Sequence, residues 1–269
     1  MKENQPRITI ITVCFNAQDT IEKTIRSVVE QTYGNLEYLI VDGASKDGTM
    51  SIVERYRDRI ERGGGRIVSE PDKGLYDAMN KGVRLAGGEW FLLLNCDDVF
   101  VDERVVADVA AFIETHPEAD IVYGNTEQVW EYGTIVSAPA EAYRNRKMCI
   151  SPQATFVRTA LHLSHPFNLK YRFAADFEQS TTFALEGRTF LHFDRLISRV
   201  ELASGVTHEN HYASEKEIYD ILESQGFDVR GERRRKLRHI QQVAFFKRHF
   251  PRWIVNPVMR AIAKYYKPM

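Results

Sequence analysis

The first 115 residues alternate between short apolar runs and longer segments of helical periodicity. The run at residues 7–14 is apolar and β-branched, which is typical of a central strand. The segment after it opens with Asp19 and Glu22 at the spacing of a capping box, and its apolar residues then recur on one helical face. Repeated strand–helix pairs of this kind predict a mainly parallel, doubly wound α/β sheet. The predicted strands are 7–14, 38–41, 66–69 and 89–95, and the predicted helices are one from Asp19 onward and others near 49–60, 75–86 and 103–115.

After residue 120 this alternation weakens. The chain has 269 residues, of which 43% are hydrophobic and 27% charged, as in an ordinary globular protein and unlike a disordered or fibrous chain. We expect one main domain at residues 1–230 and a helical tail at residues 231–269. The weaker predictions here are strands near 121–123, 134–137, 189–193 and 196–202, and helices near 174–186 and 214–225.

Acidic residues follow the ends of several predicted strands. Asp42 comes directly after one strand, Asp72 follows the next, and Asp97 and Asp98 follow the apolar residues 92–94. Ligands of doubly wound sheets bind at the carboxyl ends of the strands, so we expect these acids to converge at one edge. Adjacent carboxylates suit Mg²⁺ or Mn²⁺, with the phosphates of a substrate completing the coordination. The sequence therefore favours an enzyme that uses a nucleotide.

Five segments match, in order, the pattern of a known enzyme family: residues 10–16, 40–49, 95–98, 151–156 and 174–178. In this order and spacing they resemble family 2 glycosyltransferases, and the resemblance covers most of residues 7–210. It implies the GT-A nucleotide-diphospho-sugar transferase fold and an inverting enzyme. Such an enzyme moves a sugar from a nucleotide-diphosphate sugar to a hydroxyl acceptor, here a glycan or lipid-linked acceptor in cell-surface polysaccharide assembly. The second half of the chain is expected to shape the acceptor site.

The same resemblance implies that the nucleotide base and ribose bind at the end of the first strand. Thr12, Phe15, Asn16 and Asp42 occupy the matching positions. Phe15 offers an apolar face to the base, and a carboxylate at Asp42 can accept hydrogen bonds from a ribose hydroxyl or a base N–H. The alternative for Asp42 is a turn former before Gly43.

A second segment is expected near the donor sugar and diphosphate. It supplies Asp72, Asp77, Asn80 and Lys81. Asp77 lies beside both Asn80 and Lys81 on a helix, because residues three and four apart are neighbours there. The alternative for Lys81 is a solvated charge pair with Asp77.

Asp97 and Asp98 occupy the metal-binding element of the family, and Asp97 is also expected to contact the donor. The family usually carries an acid at the first position of this element, where this chain has Asn95. Two carboxylates remain, which is enough to hold Mn²⁺ or Mg²⁺ together with diphosphate oxygens. The alternative is a pair of helix-capping acids after a strand.

Asp176 matches the family acid that begins a helix beside the acceptor site, so it is the expected catalytic base. Inversion needs a group that takes the proton of the attacking hydroxyl. Glu178 is the competing candidate, and an N-cap role is the alternative for Asp176. Pro152 replaces a histidine that relatives often carry, although Gln153 can still approach the acceptor.

The tail carries a charge distribution unlike the rest of the chain. Residues 233–269 contain eleven Lys and Arg and no acid, although the net charge of the chain is −1. Interleaved aromatic and apolar residues favour helices lying on an anionic membrane surface, and packing against the catalytic domain is the alternative. Three widely spaced cysteines, residues 14, 96 and 149, suggest a reducing cytosol, so we expect a cytoplasmic protein at the inner face of the membrane. His208 and His211 are expected in a surface loop.

Two other classes of protein fit parts of the sequence. A metal-dependent nucleotidyltransferase would normally carry a Gly-rich, basic loop after its first strand, where this chain has residues 16–19, Asn-Ala-Gln-Asp. A nucleic-acid-binding protein would use the basic tail, but the acidic remainder of the chain would repel a polyanion, so no nucleic-acid partner is expected. A dinucleotide oxidoreductase is disfavoured because no Gly-x-Gly-x-x-Gly follows the first strand.

Overall fold

A mixed sheet of nine strands forms the centre of the protein, with helices on both faces. The computed structural model describes residues 5–130, 133–144, 147–148, 150–201, 210–250 and 257. The order of the strands in the sheet is β3-β2-β1-β4-β10-β6-β11-β5, with β7 paired to β6, and β8 and β9 form a separate hairpin. The strands are β1 Ile8–Cys14, β2 Leu36–Asp42, β3 Arg66–Ser69, β4 Trp90–Leu93, β5 Val99–Phe100, β6 Ile121–Trp130, β7 Gly133–Ser137, β8 Tyr143–Arg144, β9 Lys147–Met148, β10 Thr155–Arg158 and β11 Phe190–Glu201.

Nine α-helices lie within the described residues. They are α1 Ile21–Val29, α2 Thr49–Glu54, α3 Arg57–Glu61, α4 Leu75–Leu85, α5 Val105–Thr115, α6 Thr159–Ser164, α7 Ala175–Leu185, α8 His211–Ser224 and α9 Arg230–His249, and a 3-10 helix covers Pro152–Ala154.

The first four long strands are parallel, as the strand–helix alternation predicted. β1 pairs with both β2 and β4, and every residue of β1 is buried because helices cover both faces of the sheet. The register places Cys14 beside Asp42 and Asp42 beside Ser69. The ends of these three strands therefore meet at one edge, which carries the candidate site.

The second half of the sheet is mixed. β10 runs antiparallel between β4 and β6, and β11 then pairs in parallel with β6. The two strands predicted after residue 188 are one strand, β11, with irregular register near its middle.

Two apolar cores separate the helices by face. Helices α1, α2, α3 and α5 pack on one face, and α4, α7 and α8 pack on the other. Helix α4 lies very close to β1, since a Cβ at Gly82 would lie 2.5 Å from the Ile11 side chain. This close contact fixes the helix that carries Asp77 and Lys81 against the strand that ends at the site.

Some local predictions are wrong. The N-cap of α1 is Thr20 without a side-chain cap, and Glu22 instead accepts hydrogen bonds from Arg55 and Tyr56. The predicted helix at 49–60 is two helices, α2 and α3, because the chain turns at Arg55 and Tyr56.

Helix α9 begins at Arg230, one residue before the predicted start of the tail. Its first turns bind α8 through ion pairs of Arg233 with Asp220 and Glu223, each 2.7 Å long, and of Lys236 with Glu215 at 3.4 Å. No helix in the described part of the chain is long and apolar enough to span a membrane. Residues 208, 209, 149 and the tail aromatics from Trp253 onward lie outside the described residues.

Candidate active site

Asp42 lies at the predicted edge, beneath the loop that follows β2. Its carboxylate is fully buried and accepts hydrogen bonds from the Ser45 amide at 3.0 Å and the Ser69 hydroxyl at 2.6 Å. The Ser45 hydroxyl also donates to it, and the Cys14 thiol lies 3.7 Å away. Asp42 thus fastens the ends of β1, β2 and β3 together.

Of the residues expected around the base, the structure brings Phe15 and Asn16 to the edge and leaves Thr12 inside. Thr12 is fully buried, and its hydroxyl accepts a hydrogen bond from Tyr38 at 3.0 Å. This buried position does not support a direct contact with the nucleotide sugar. Phe15 is 61% exposed. Asn16 has a positive φ of 49° and accepts from the Lys46 amide, which shapes the loop.

Phe15 and Asp72 both pack close to Gly43. A Cβ at Gly43 would lie 2.5 Å from the Asp72 carboxylate and 3.3 Å from the Phe15 ring. Asp72 in turn accepts a hydrogen bond from the Gly74 amide at 2.8 Å. An exposed aromatic ring near a carboxylate makes a surface that suits a flat polar ring.

Lys81 holds the loop at residues 70–74. Its ammonium donates to the Pro71 carbonyl at 2.8 Å and lies 3.0 Å from Glu70, whereas Asp77 is 3.9 Å away. Asp77 accepts a hydrogen bond from the Lys73 amide. The expected Asp77–Lys81 pair therefore exists, but both residues act mainly on the loop that carries Asp72.

Asn80 does not reach the edge. It is 5% exposed, its amide donates to the Phe167 carbonyl at 2.9 Å, and its oxygen accepts from the Phe167 amide at 3.0 Å. The same oxygen lies 3.0 Å from His162, whose other ring nitrogen faces Gln179 at 2.9 Å. Burial lowers the pKa of His162 to about 4, so the ring is neutral. The expectation of a donor contact from Asn80 is corrected here, since its polar atoms are used inside the protein.

Asp97 and Asp98 lie just after β4, with different exposures. Asp97 is half-buried, whereas Asp98 is 1% exposed and accepts from the Glu201 amide at 3.2 Å. Burial and the charge of Asp97 raise the pKa of Asp98 to about 8, and burial also raises the pKa of Asp97. The side-chain oxygen of Asn95 is buried there and has no hydrogen-bond partner among the described residues.

The carboxylates of Asp97 and Asp98 fit a hard divalent cation. Two carboxylates are held close together although burial and mutual repulsion oppose their ionisation, and a bound cation would relieve both effects. No group of three or more His, Cys, Asp or Glu side chains that could hold a metal ion exists within the described residues.

Asp176 lies in the first turn of α7, where Tyr76 of α4 donates a hydrogen bond to its Oδ1 at 2.7 Å. Burial raises its pKa and the negative charge of Glu217 adds to this, whereas the bonds from Tyr76 and from backbone amides oppose the shift. The N-cap position belongs to Ala174. Glu217 of α8 accepts the amides before the helix, including that of Phe173 at 2.7 Å, whereas the Asp176 carboxylate accepts bonds from the amides of the first helical turn.

Asp176 also lines a cavity of about 230 Å³ between β4, β10, α7 and α8, and Glu178 does not. Glu178 lies 3.5 Å from His165 instead. Sequence reasoning missed Tyr76, Glu217, His162 and Gln179. Each contacts partners 14 or more residues away in the chain, so no local pattern marks it, apart from Tyr76 standing next to Asp77 in a family-like segment.

Comparison with known proteins identifies the family. The model of glycosyl transferase family 2 matches residues 9–176. This chain belongs to that family. The match includes both Phe15 and Asp176. It confirms the resemblance to family 2 glycosyltransferases that the sequence motifs indicated.

Relatives of this family 2 glycosyltransferase come from several bacteria. It is 34% identical over 179 residues to a PGL/p-HBAD biosynthesis glycosyltransferase of Mycobacterium bovis, covering 64% of this chain and 68% of the relative. It is 31% identical over 110 residues to the putative teichuronic acid biosynthesis glycosyltransferase TuaG of Bacillus subtilis, covering 41% and 43% of the two chains. The enzyme is thus related to glycosyltransferases of polysaccharide biosynthesis.

Solved structures confirm the GT-A fold. S. aureus TarS 1-349 in complex with UDP-GlcNAc matches with a TM-score of 0.63 and 21% identity, over 80% of this chain and 64% of that one. The chain therefore spans slightly less than two thirds of that TarS fragment. Mannosyltransferase PcManGT of Pyrobaculum calidifontis, in complex with GDP-Man and Mn²⁺, matches with a TM-score of 0.68 and 18% identity, over 99% and 82% of the two chains. The predicted α/β GT-A fold is confirmed, with a mixed sheet in its second half.

Proposed function

We propose that this protein is an inverting, metal-dependent glycosyltransferase that uses a nucleotide-diphosphate sugar. The observation that carries the proposal is Asp176, a carboxylate that binds Tyr76 and lines a cavity whose described lining contains no other charged residue. Neighbours of the same fold are solved with UDP-GlcNAc or GDP-Man. Family membership favours this function over the nucleotidyltransferase and nucleic-acid-binding alternatives.

In the proposed reaction Asp176 is the general base. Its carboxylate takes the proton of the acceptor hydroxyl while the oxygen of that hydroxyl attacks the anomeric carbon of the donor sugar. The bond between the anomeric carbon and the diphosphate oxygen breaks on the opposite face, so the nucleoside diphosphate leaves with the electron pair and the configuration inverts. The base must be ionised, and activity is therefore expected to fall as the pH drops through the raised pKa of Asp176.

The residues proposed to bind the nucleotide sugar have separate roles. Phe15 and Asp72, which both pack close to Gly43, are proposed to contact the nucleotide base and ribose. Asp42 positions the loop that contains Ser45. Asp97 and Asp98 would hold Mn²⁺ or Mg²⁺, which supplies positive charge that neutralises the leaving diphosphate. Asp97 is the more accessible of the two carboxylates.

The experiment begins with a thermal-shift screen of UDP-, GDP-, dTDP- and CDP-sugars, with and without Mn²⁺. A donor that binds only the native state raises the melting temperature. With the selected donor, NMR of the product gives the anomeric configuration. Inversion supports the proposal, and retention or the absence of any nucleotide-sugar shift contradicts it. Asp97→Asn should remove the Mn²⁺-dependent part of the shift, and Asp19→Asn, another acid on an exposed loop, is the control.

The basic tail supports peripheral contact with an anionic membrane at the cytoplasmic face. Arg234 and Arg238 are exposed and line a groove of about 560 Å³ beside α8, while Phe245 is 59% exposed on the same helix. A basic helix with exposed aromatic residues is suited to an anionic lipid surface. Arg234→Glu with Arg238→Glu should abolish sedimentation with phosphatidylserine vesicles, whereas equal binding to neutral vesicles would contradict the proposal. The double substitution Arg57→Glu with Arg62→Glu, on the catalytic domain, is the charge-matched control.

A further inference from the structure

The cavity beside Asp176 is mainly apolar. Its walls include Phe91 of β4, Phe173 before α7, Phe177 of α7 and Ile218 of α8. Asp176 is the one charged group in its described lining.

Two of the four neutral polar side chains that line the cavity are occupied. Gln179 donates to the His165 carbonyl at 2.6 Å and faces His162 at 2.9 Å. The Thr155 hydroxyl donates to the Ser151 carbonyl at 2.6 Å. Ser180, Ser214 and Asp176 are the other polar groups of the described lining. A sugar ring carries more hydroxyls than these groups can satisfy, and burying a hydroxyl without a partner is unfavourable. The cavity therefore selects against a fully hydroxylated ring.

The size of the cavity sets the size of the group that it accepts. Its volume is about 230 Å³. An apolar protein cavity of about 150 Å³ binds one benzene molecule, so this cavity can hold one substituted aromatic ring. Aromatic side chains on its walls favour an aromatic occupant through offset or edge-to-face contacts.

We infer that the acceptor presents an aryl group to this cavity, next to the hydroxyl that Asp176 deprotonates. The inference rests on the proposed function, which gives Asp176 its role. Two kinds of acceptor share this chemistry: a phenol, whose own oxygen receives the sugar, and an aryl glycoside, in which a sugar hydroxyl receives it. The position of the new glycosidic bond in the product distinguishes them.

The test compares acceptors that differ only in the apolar group. With the donor identified by the thermal-shift screen, the release of nucleoside diphosphate is measured for a phenol, a series of phenyl glycosides and the matching methyl glycosides. Burial of the phenyl ring should lower KM at least about tenfold relative to the methyl glycoside. Equal KM values for phenyl and methyl acceptors would overturn the inference.

Two variants that fill the cavity give an independent check. Ser180→Phe and Ile218→Trp add bulk from α7 and α8, and Leu185→Phe, at an exposed position of α7 outside the cavity lining, is the control. Each filled variant should lose the phenyl preference, while Leu185→Phe should keep it. The donor-induced thermal shift reports whether each variant is folded.

Two failures can be told apart. If both filled variants still consume the nucleotide sugar and keep the phenyl preference, the assignment of the cavity to the aryl group is overturned and the proposed function stands. If no nucleotide sugar is consumed with any acceptor or with water, the proposed function fails and the inference fails with it.

Discussion

Tyr76→Phe removes one hydroxyl and keeps the aromatic ring. In the structure that hydroxyl lies 2.7 Å from Oδ1 of Asp176, and Tyr76 is 7% exposed. A hydrogen bond from a neutral donor to a charged group contributes about 1.5–3 kcal/mol. Without it, the ionised form of Asp176 loses a stabilising partner and the carboxylate loses the contact that fixes its orientation.

The magnitude follows from this bond. A loss of about 1.5 kcal/mol in the transition state slows turnover roughly tenfold, and a loss of 3 kcal/mol slows it roughly 150-fold. The direction of the pH effect is also defined. The bond from Tyr76 lowers the pKa of Asp176, so its removal raises that pKa, and the acid limb of the kcat profile should move to higher pH.

The assay is the release of nucleoside diphosphate at saturating donor and acceptor, measured across the pH range. Glu217 of α8, Arg172 and the Glu178–His165 pair also lie near this end of α7, and they are unchanged in the variant. Tyr171→Phe alters another buried tyrosine in the same apolar cluster and serves as the control. If Tyr76→Phe turned over within about twofold of the wild type with an unmoved acid limb, Tyr76 would have no role in positioning the base.

Two further predictions concern buried polar groups. Asp98 has a folded pKa of about 8, above its unfolded value, so the metal-free native state retains a proton that the unfolded chain releases. The contribution of Asp98 to the free energy of unfolding is present at low pH and is lost as the pH rises through about 8. With a chelator present, the Tm of the wild type should therefore fall between about pH 5 and 8, and Asp98→Asn should make this fall smaller. An unchanged slope of Tm against pH in the variant would refute the prediction. Asn80→Ala should lower the free energy of unfolding by roughly 1–3 kcal/mol for each buried partner left unsatisfied, while the Kd of the donor stays the same. Calorimetry of both quantities checks this, and a weakened donor Kd at unchanged stability would restore Asn80 to the donor site.

The sequence predicted the parts of the fold that depend on local pattern. β1 is an unbroken apolar run because both of its faces are covered, and Asp42 lies at the predicted edge because parallel strands end together. The position of Thr12 inside the sheet follows from the same burial. What could not be predicted depends on distant partners. β10 enters the sheet between β4 and β6, which are distant in sequence, and only that packing joins Asn80 to a histidine 82 residues away.

The choice between Asp176 and Glu178 likewise needed the folded chain. The two carboxylates are separated by one residue, and sequence alone leaves both available as the base. In the structure His165 approaches Glu178, whereas Asp176 binds Tyr76 and lines the cavity. The helix turns successive side chains by 100°, so only one of the two acids can face the acceptor.

The most direct test of the account is a comparison of Asp176→Asn with Glu178→Gln. Both substitutions preserve size, and donor binding measured by thermal shift verifies that each variant is folded. A general base contributes about 10²–10⁴ in rate, so Asp176→Asn should lower kcat by at least about a hundredfold while Glu178→Gln stays within about tenfold of the wild type. Full turnover by Asp176→Asn together with an inactive Glu178→Gln would contradict the account and move the base to Glu178.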